Sequence, residues 1–337
     1  MRYLRIKLEE AAVYHVMSRV IEHRFIFGDI EKDYMSGLMR RLEAFTACKI
    51  RTYVFLDNHF HILLYVPARV DISDDEVKRR VRILYGKKKY AIMEQNWALW
   101  EERGCGEKVK AQLDSFRVRM YDLSQFMKTF KQRLSIYYNA NAGRRGEGPL
   151  WHDRFKSVLV EENEYAQVVV AAYIDLNPVR AGIVKDPKDY RWCGYAEAVA
   201  KGGASVDGLA KLFVNRDLKK REVLSEYRQN LYLQGAEKHN ALTGDLSKPG
   251  FKREVVNKIL DEGGRLPLPE LVHCRVRYFS DGVIIGSKEF IEKMFNEHGG
   301  MFSKLRRKRG ANQMKSGEWG DLCAACEIRS KVVAAPE

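Results

Sequence analysis

His59 and His61 stand two residues apart in the stretch Thr52 to Pro67, TYVFLDNHFHILLYVP. The apolar runs on either side of Asp57 and Asn58 read as two strands joined by a short turn. Successive side chains of a strand alternate between faces, so both imidazoles share one face and Phe60 takes the other. Two imidazoles aimed at one point can hold a divalent cation, and a third ligand from another element would leave positions open for substrate oxygens. Asn177 is a candidate for that third place. Tyr173 precedes it by one helical turn, where its hydroxyl would meet whatever the cation polarises. A tyrosine acts as a covalent nucleophile once its proton leaves or its developing charge is stabilised. In a basic chain, the natural target is a phosphodiester.

The elements that must position these residues follow in order. Tyr14 to Arg19 (YHVMSR) alternates as a strand. From Glu31 to about Cys48, Met35, Leu38, Met39, Leu42 and Phe45 recur at helical spacing and mark an amphipathic helix. Strand, helix, strand, strand is the order of an α+β unit, an antiparallel sheet covered by helices on one face. Asp71 to Gly106 is highly charged, and Ser73 with Glu76 makes a capping box, so this region reads as a helical insertion in a loop. A solvated excursion is the plainer account of it, and a DNA clamp the sharper one. Helix resumes near Met120 and runs to about Tyr138, and Asn139 to Pro149 is a glycine-rich basic loop.

Arg154 to Val160 (RFKSVLV) alternates as a further strand. Arg154 and Lys156 share one of its faces as candidate phosphate contacts, with Arg180 a weaker one and a merely solvated basic face the alternative. Asn163 caps the next helix, which carries Tyr165, Val169, Tyr173 and Asn177 at steps of four before Pro178 ends it. Tyr137 and Tyr138 compete for the nucleophile's role. Adjacent residues point about 100° apart on a helix, so both cannot face one site, and core packing accounts for them better.

With 337 residues, 45% of them hydrophobic, the chain can bury a real core. Lys and Arg number 59 against 45 Asp and Glu, a net charge of +14 that favours a polyanionic partner. The N-terminus lacks a signal peptide's apolar core, no apolar run reaches the roughly 20 residues of a membrane span, and the six scattered cysteines do not make a disulfide framework. A cytoplasmic protein with no membrane partner is expected. The CxxC of Cys323 and Cys326 has no second pair beside it and reads as inert rather than zinc-binding.

Beyond Tyr195 the signal thins. Ala204 to Gly235 looks helical, Phe251 to Leu260 is a short helix, Val272 to Phe279 is strand-like, and Ser287 caps a helix from Lys288 to about His298. The end is basic through Lys304 to Arg309 and then poor in apolar periodicity, which suits a mobile tail. The expected division is a first domain over residues 1–196 with the insertion at about 68–115, a helical connector over 197–245, and a small, mostly helical accessory domain over 246–337.

His59-Phe60-His61, with an apolar residue between its histidines, resembles the HUH motif of single-tyrosine DNA transposases. LWHDRFKSVLVE (Leu150 to Glu161) and AAYIDLNPVRAGIV (Ala171 to Val184) resemble the subgroup of REP-associated tyrosine transposases, and YRWCGY (Tyr190 to Tyr195) is similar to the pattern that follows them. The resemblance spans roughly residues 10 to 196, interrupted by the insertion. It implies a ferredoxin-like α+β domain that cuts single-stranded DNA at a hairpin or palindromic repeat and moves the strand. By this resemblance Tyr173 attacks the scissile phosphate, forming a 5′-phosphotyrosine link and freeing a 3′-hydroxyl. His59 and His61 bind Mg²⁺ or Mn²⁺, Asn177 takes the place of the third ligand, and the enzyme works as a monomer or a homodimer. The alternative is a DNA- or RNA-binding regulator on the same fold with its cutting activity lost. A metal-dependent phosphodiesterase using water is a third reading.

Overall fold

The computed structural model describes residues 2–3, 5–141, 149–214, 216–235, 238–239, 246–248, 279, 282–302, 312–313, 321–326 and 330–331. After a short β1 (Arg2–Tyr3), β2 (Ala12–Arg19) leads through α1 (Asp29–Thr46) into the hairpin of β3 (Lys49–Phe55) and β4 (His59–Val66). Helices α2 (Asp74–Glu102), α3 (Gly106–Arg117) and α4 (Leu123–Asn141) follow, and then β5 (Lys156–Val160). These strands lie in the order β3-β4-β2-β5 with every neighbour antiparallel. This is the split β-α-β arrangement of the ferredoxin-like fold, with α1 and α4 on one face as the sequence led us to expect. The stripe Met35, Leu38, Met39, Leu42 and Phe45 is fully buried there against Phe126, Phe130 and Leu134 of α4.

The insertion is not a solvated excursion. Val77, Val81, Leu84 and Trp97 of α2 and Val109, Leu113 and Phe116 of α3 are buried in the core that α1 and α4 build. Its charges lie on the outer faces of helices whose inner faces are apolar.

Helices also cover the second face of the sheet, so the cover is on both sides rather than one. α5 (Glu164–Asp175) and α6 (Asn177–Arg180) are followed by α7 (Gly194–Ala200), α8 (Ala204–Ala210) and α9 (Lys220–Gly235). Val169, Ala172, Tyr195, Leu209 and Tyr227 from these segments pack with Val13, Met17, Val54, Leu63 and Val158 of the sheet. The same two-sided cover is visible in β2, where every residue but Arg19 is buried, so both of its faces are packed.

The described parts of 246–337 do not stand apart as an accessory unit. β8 (Gly282–Gly286), the apolar run GVIIG, pairs in parallel with the open edge of β5. β10 (Cys323–Cys326) pairs antiparallel with β8 and β9 (Asn312–Gln313) with β10, giving seven strands in the order β3-β4-β2-β5-β8-β10-β9. Glu161 at the end of β5 accepts hydrogen bonds from Ser287 N (2.6 Å) and Oγ (3.0 Å), and Ser287 caps α10 (Lys288–Glu297). Small pairs of β6 (Lys238–His239) with β7 (Leu246–Lys248), and of β1 with β11 (Ser330–Lys331), complete the strands. The short helix over 251–260, the run 304–309 and all of the 272–279 strand but Phe279 lie outside the described residues. Among the described residues no helix is long and apolar enough to cross a membrane.

The YRWCGY stretch is a strap over the exposed edge of β3. Trp192 O accepts the Phe55 N–H (3.0 Å), the Tyr190 hydroxyl donates to Phe55 O (2.7 Å), and Cys193 bridges Val54. Arg191 and the Trp192 indole both donate to Asp33 on α1. Covering an edge in this way removes a template for unwanted strand pairing. Gly194 lets the strap close, because a Cβ there would lie 2.2 Å from Thr52 Oγ1 and 2.9 Å from Tyr53 N. Gly194→Ala is expected to cost about 1–3 kcal/mol by overpacking. A thermal melt lowered by several degrees would show it, and an unchanged melt would mean the strap yields freely.

Candidate functional site

Cross-strand register sets the composition of one sheet face. Arg19 lies opposite His59, Met17 opposite His61, His15 opposite Leu63, and Lys156 opposite Met17. Directly opposed residues share a face, so His15, Arg19, His59, His61 and Lys156 all point toward the α5 side. Phe60 points the other way, into the rings of Phe130 and Trp151. The alternation read from the sequence therefore holds.

The imidazoles of His59 and His61 have centroids 5.2 Å apart. Nδ1 of His59 donates to Asn58 Oδ1 at 2.6 Å. Nδ1 of His61 is 2.9 Å from Nε2 of His15, whose ring stacks on it with centroids 5.1 Å apart. His15 and His61 are buried. Burial, aided by the nearby charge of Arg180, pushes the His15 pKa down to about 3. Burial, then His15, His59, Arg180 and Arg19, holds that of His61 well below the usual histidine value. At neutral pH both rings are uncharged, the form that can offer a lone pair to a cation.

α5 forms because Asn163 Oδ1 accepts the Ala166 N–H (2.7 Å) and the helix then buries Val168, Val169, Val170, Ala172 and Ile174. This burial fixes where Tyr173 goes. Its half-buried ring meets His15 and His61 edge-on, each with centroids 5.9 Å apart, and lies tilted against Phe279 at 4.6 Å. The Arg180 guanidinium sits 4.0 Å from the Tyr173 ring centroid and donates to Tyr173 O. The tyrosine is thus seated in a slot walled by two histidines, a phenylalanine and an arginine.

Asn177 is placed differently. α5 ends at Asp175, and Leu176, with φ −81° and ψ −3°, separates it from α6. The Asn177 amide Nδ2 donates to Tyr173 O (2.9 Å) and Ile174 O (3.3 Å), so its described bonds tie it to the end of α5. Among the described residues no three His, Cys, Asp or Glu side chains come together as a metal cluster. The fit of a cation therefore rests on the histidine pair. Both histidines spend Nδ1 on an intramolecular bond, as metal-ligating histidines do, and the remaining ligands would be an amide oxygen such as that of Asn177 and oxygens of substrate.

Arg154 and Lys156 differ in local structure. Lys156 opens β5 on the histidine side, whereas Arg154 precedes the strand in a bend. The charge of Arg154 is felt by Arg5 and Lys131: burial and then Arg154 lower Arg5 to about 10, and burial, Arg5 and Arg154 lower Lys131 to about 8. Arg5 lies over the Phe155 ring on the opposite face.

Sequence reasoning missed His15, Arg19, Phe279 and Asp175. The YHVMSR alternation could have yielded His15 and Arg19, since it puts them on one face. Phe279 and Asp175 carried no local signal. Asp175 is fully buried two residues after Tyr173. It accepts from Thr52 Oγ1 (2.8 and 2.9 Å), Cys193 Sγ (2.9 Å), Tyr195 N (3.3 Å) and the Tyr227 hydroxyl.

No family model and no curated protein matches the chain. Among solved structures, the chain is similar to one described as a REP-associated tyrosine transposase bound to a REP hairpin. The TM-score is 0.37 at 14% identity, over 60% of this chain and 87% of that one.

Proposed function

We propose that the chain is a divalent-cation-dependent endonuclease and strand transferase for single-stranded DNA, acting on a hairpin or palindromic repeat through Tyr173. The observation that carries this reading is the seating of Tyr173 against His61, from segments distant in sequence. The HUH-like and REP-transposase-like motifs point the same way. Mg²⁺ or Mn²⁺ held by His59, His61 and Asn177 would withdraw charge from a non-bridging phosphate oxygen. Tyr173 Oη supplies the in-line nucleophile: the Oη–P bond forms, the P–O3′ bond breaks, and the phenolic proton is lost while the departing 3′-oxygen gains one. Reversal with a different 3′-hydroxyl transfers the strand. Arg180, stacked over the ring, stabilises negative charge developing on the phenolic oxygen, and Lys156 on the same face suits a flanking phosphate.

The test is an adduct assay with a palindromic single-stranded oligonucleotide and Mn²⁺. A protein–DNA species that survives denaturing electrophoresis is expected, and is expected to vanish in EDTA. His59→Ala and His61→Ala should each lower cleavage by at least about 100-fold. Full activity in EDTA would overturn the metal site. Hairpin binding with no adduct under any condition would assign the regulator reading instead.

A further inference from the structure

We propose that His15 is a positioning residue for His61, accepting its Nδ1–H and so holding it in the tautomer that presents Nε2 to a divalent cation. The inference rests on the metal-dependent reading above. A neutral imidazole has one donor and one acceptor nitrogen, so the 2.9 Å contact between His61 Nδ1 and His15 Nε2 admits two proton arrangements. If His15 donates, His61 carries its proton on Nε2 and has no lone pair there to give. If His61 donates, its Nε2 is bare and His15 carries its proton on Nδ1.

Binding of a cation through His61 Nε2 requires the second arrangement. His59 offers an internal parallel, because its Nδ1 faces Asn58 Oδ1, which can only accept. Asn58 thus does for His59 what His15 does for His61. The His15 ring also stacks at 25° on that of His61, and the Tyr173 edge touches both. One buried residue therefore fixes the direction of a ligand and the wall against which the nucleophile rests.

Two measurements on the full chain test this. In metal-free wild-type protein, long-range ¹⁵N–¹H spectra of the imidazoles are expected to show His61 protonated at Nδ1, and protonation at Nε2 would overturn the proposal. By calorimetry, His15→Phe, which keeps a ring but removes the acceptor, should weaken Mn²⁺ binding about 10- to 100-fold. Its hairpin affinity in EDTA should stay at the wild-type level. His15→Gln, whose amide oxygen can accept the same proton, should recover most of the Mn²⁺ affinity. Binding by His15→Phe within threefold of wild type overturns the positioning role. His61→Ala separates the two readings: if it too keeps full Mn²⁺ affinity, the metal site itself fails. If it loses affinity while His15→Phe does not, only the role of His15 fails. Should His15→Phe not fold, the tautomer measurement and His15→Gln decide, and loss of affinity in a folded His15→Gln counts against the proposal.

Discussion

Tyr173→Phe is expected to eliminate the covalent protein–DNA species while leaving hairpin affinity in EDTA within about threefold of wild type. The substitution removes one oxygen and keeps the ring that meets His15, His61, Phe279 and Arg180. Packing is preserved, so a loss of reaction reports the nucleophile itself. Removing an attacking group costs about 10⁴-fold or more in rate, which puts the product below detection on a denaturing gel. An adduct formed by the variant would sink the assignment. Cleavage continuing without an adduct would point to water as nucleophile. The competing tyrosines are out of reach. Tyr138 is buried in the core beneath the other face of the sheet, and Tyr137 stacks on Tyr34 of α1 with centroids 3.8 Å apart.

Asp175→Ala carries the largest expected effect on stability. Thr52, Cys193, Tyr195 N and Tyr227 all donate to this one carboxylate, and it joins β3, α5, the strap and α9. Removing it leaves four donors facing a cavity, a loss of about 3–5 kcal/mol, which corresponds to a fall in melting temperature of roughly 10 °C. Asp175→Asn keeps the shape and one acceptor and should lose less. Burial raises the Asp175 pKa from 3.8 to about 6, against the pull of its donors. The folded state therefore holds this proton more tightly than the unfolded chain. The group adds stability as pH falls from about 6 toward 3.8, and that stability is lost as pH rises through about 6. Denaturation followed across this window should show the trend in wild type and lack it in Asp175→Asn. A variant with the wild-type slope would assign the trend to other groups.

Much of the arrangement could be read from residue periodicity. Alternation places His59 and His61 together and Phe60 opposite, because the period of a strand is fixed at two. The apolar stripe of α1 and the cap at Asn163 announced their helices for equally local reasons. What could not be read depends on which strands pair and in what register, a property of segments far apart in sequence. His15 meets His61 only because Met17 is paired with His61. The four donors to Asp175 come from three distant stretches. The division into α5 and α6 at Leu176 falls where Pro178 removes one N–H from the helical ladder, while Leu176 itself keeps helical backbone angles. Arg154 falls in a bend because the strand starts two residues after it. The second helical layer was implied by the two-sided burial of β2, which its mixed residue types did not advertise.

The parallel pairing of β5 with β8 also bears on how the molecule is made. A hairpin such as β3 and β4 closes within a few residues, but Leu159 meets Ile284 only after the chain has returned from a long excursion. Loop-closure entropy makes such non-local pairing slow. Within the ferredoxin-like unit only β3 and β4 close locally, whereas Val13 of β2 meets Val160 of β5 across a comparable excursion, so β5 pairs non-locally on both of its edges. Phe279, three residues ahead of β8, travels with that late strand, so the slot that holds Tyr173 gains its final wall near the end of folding.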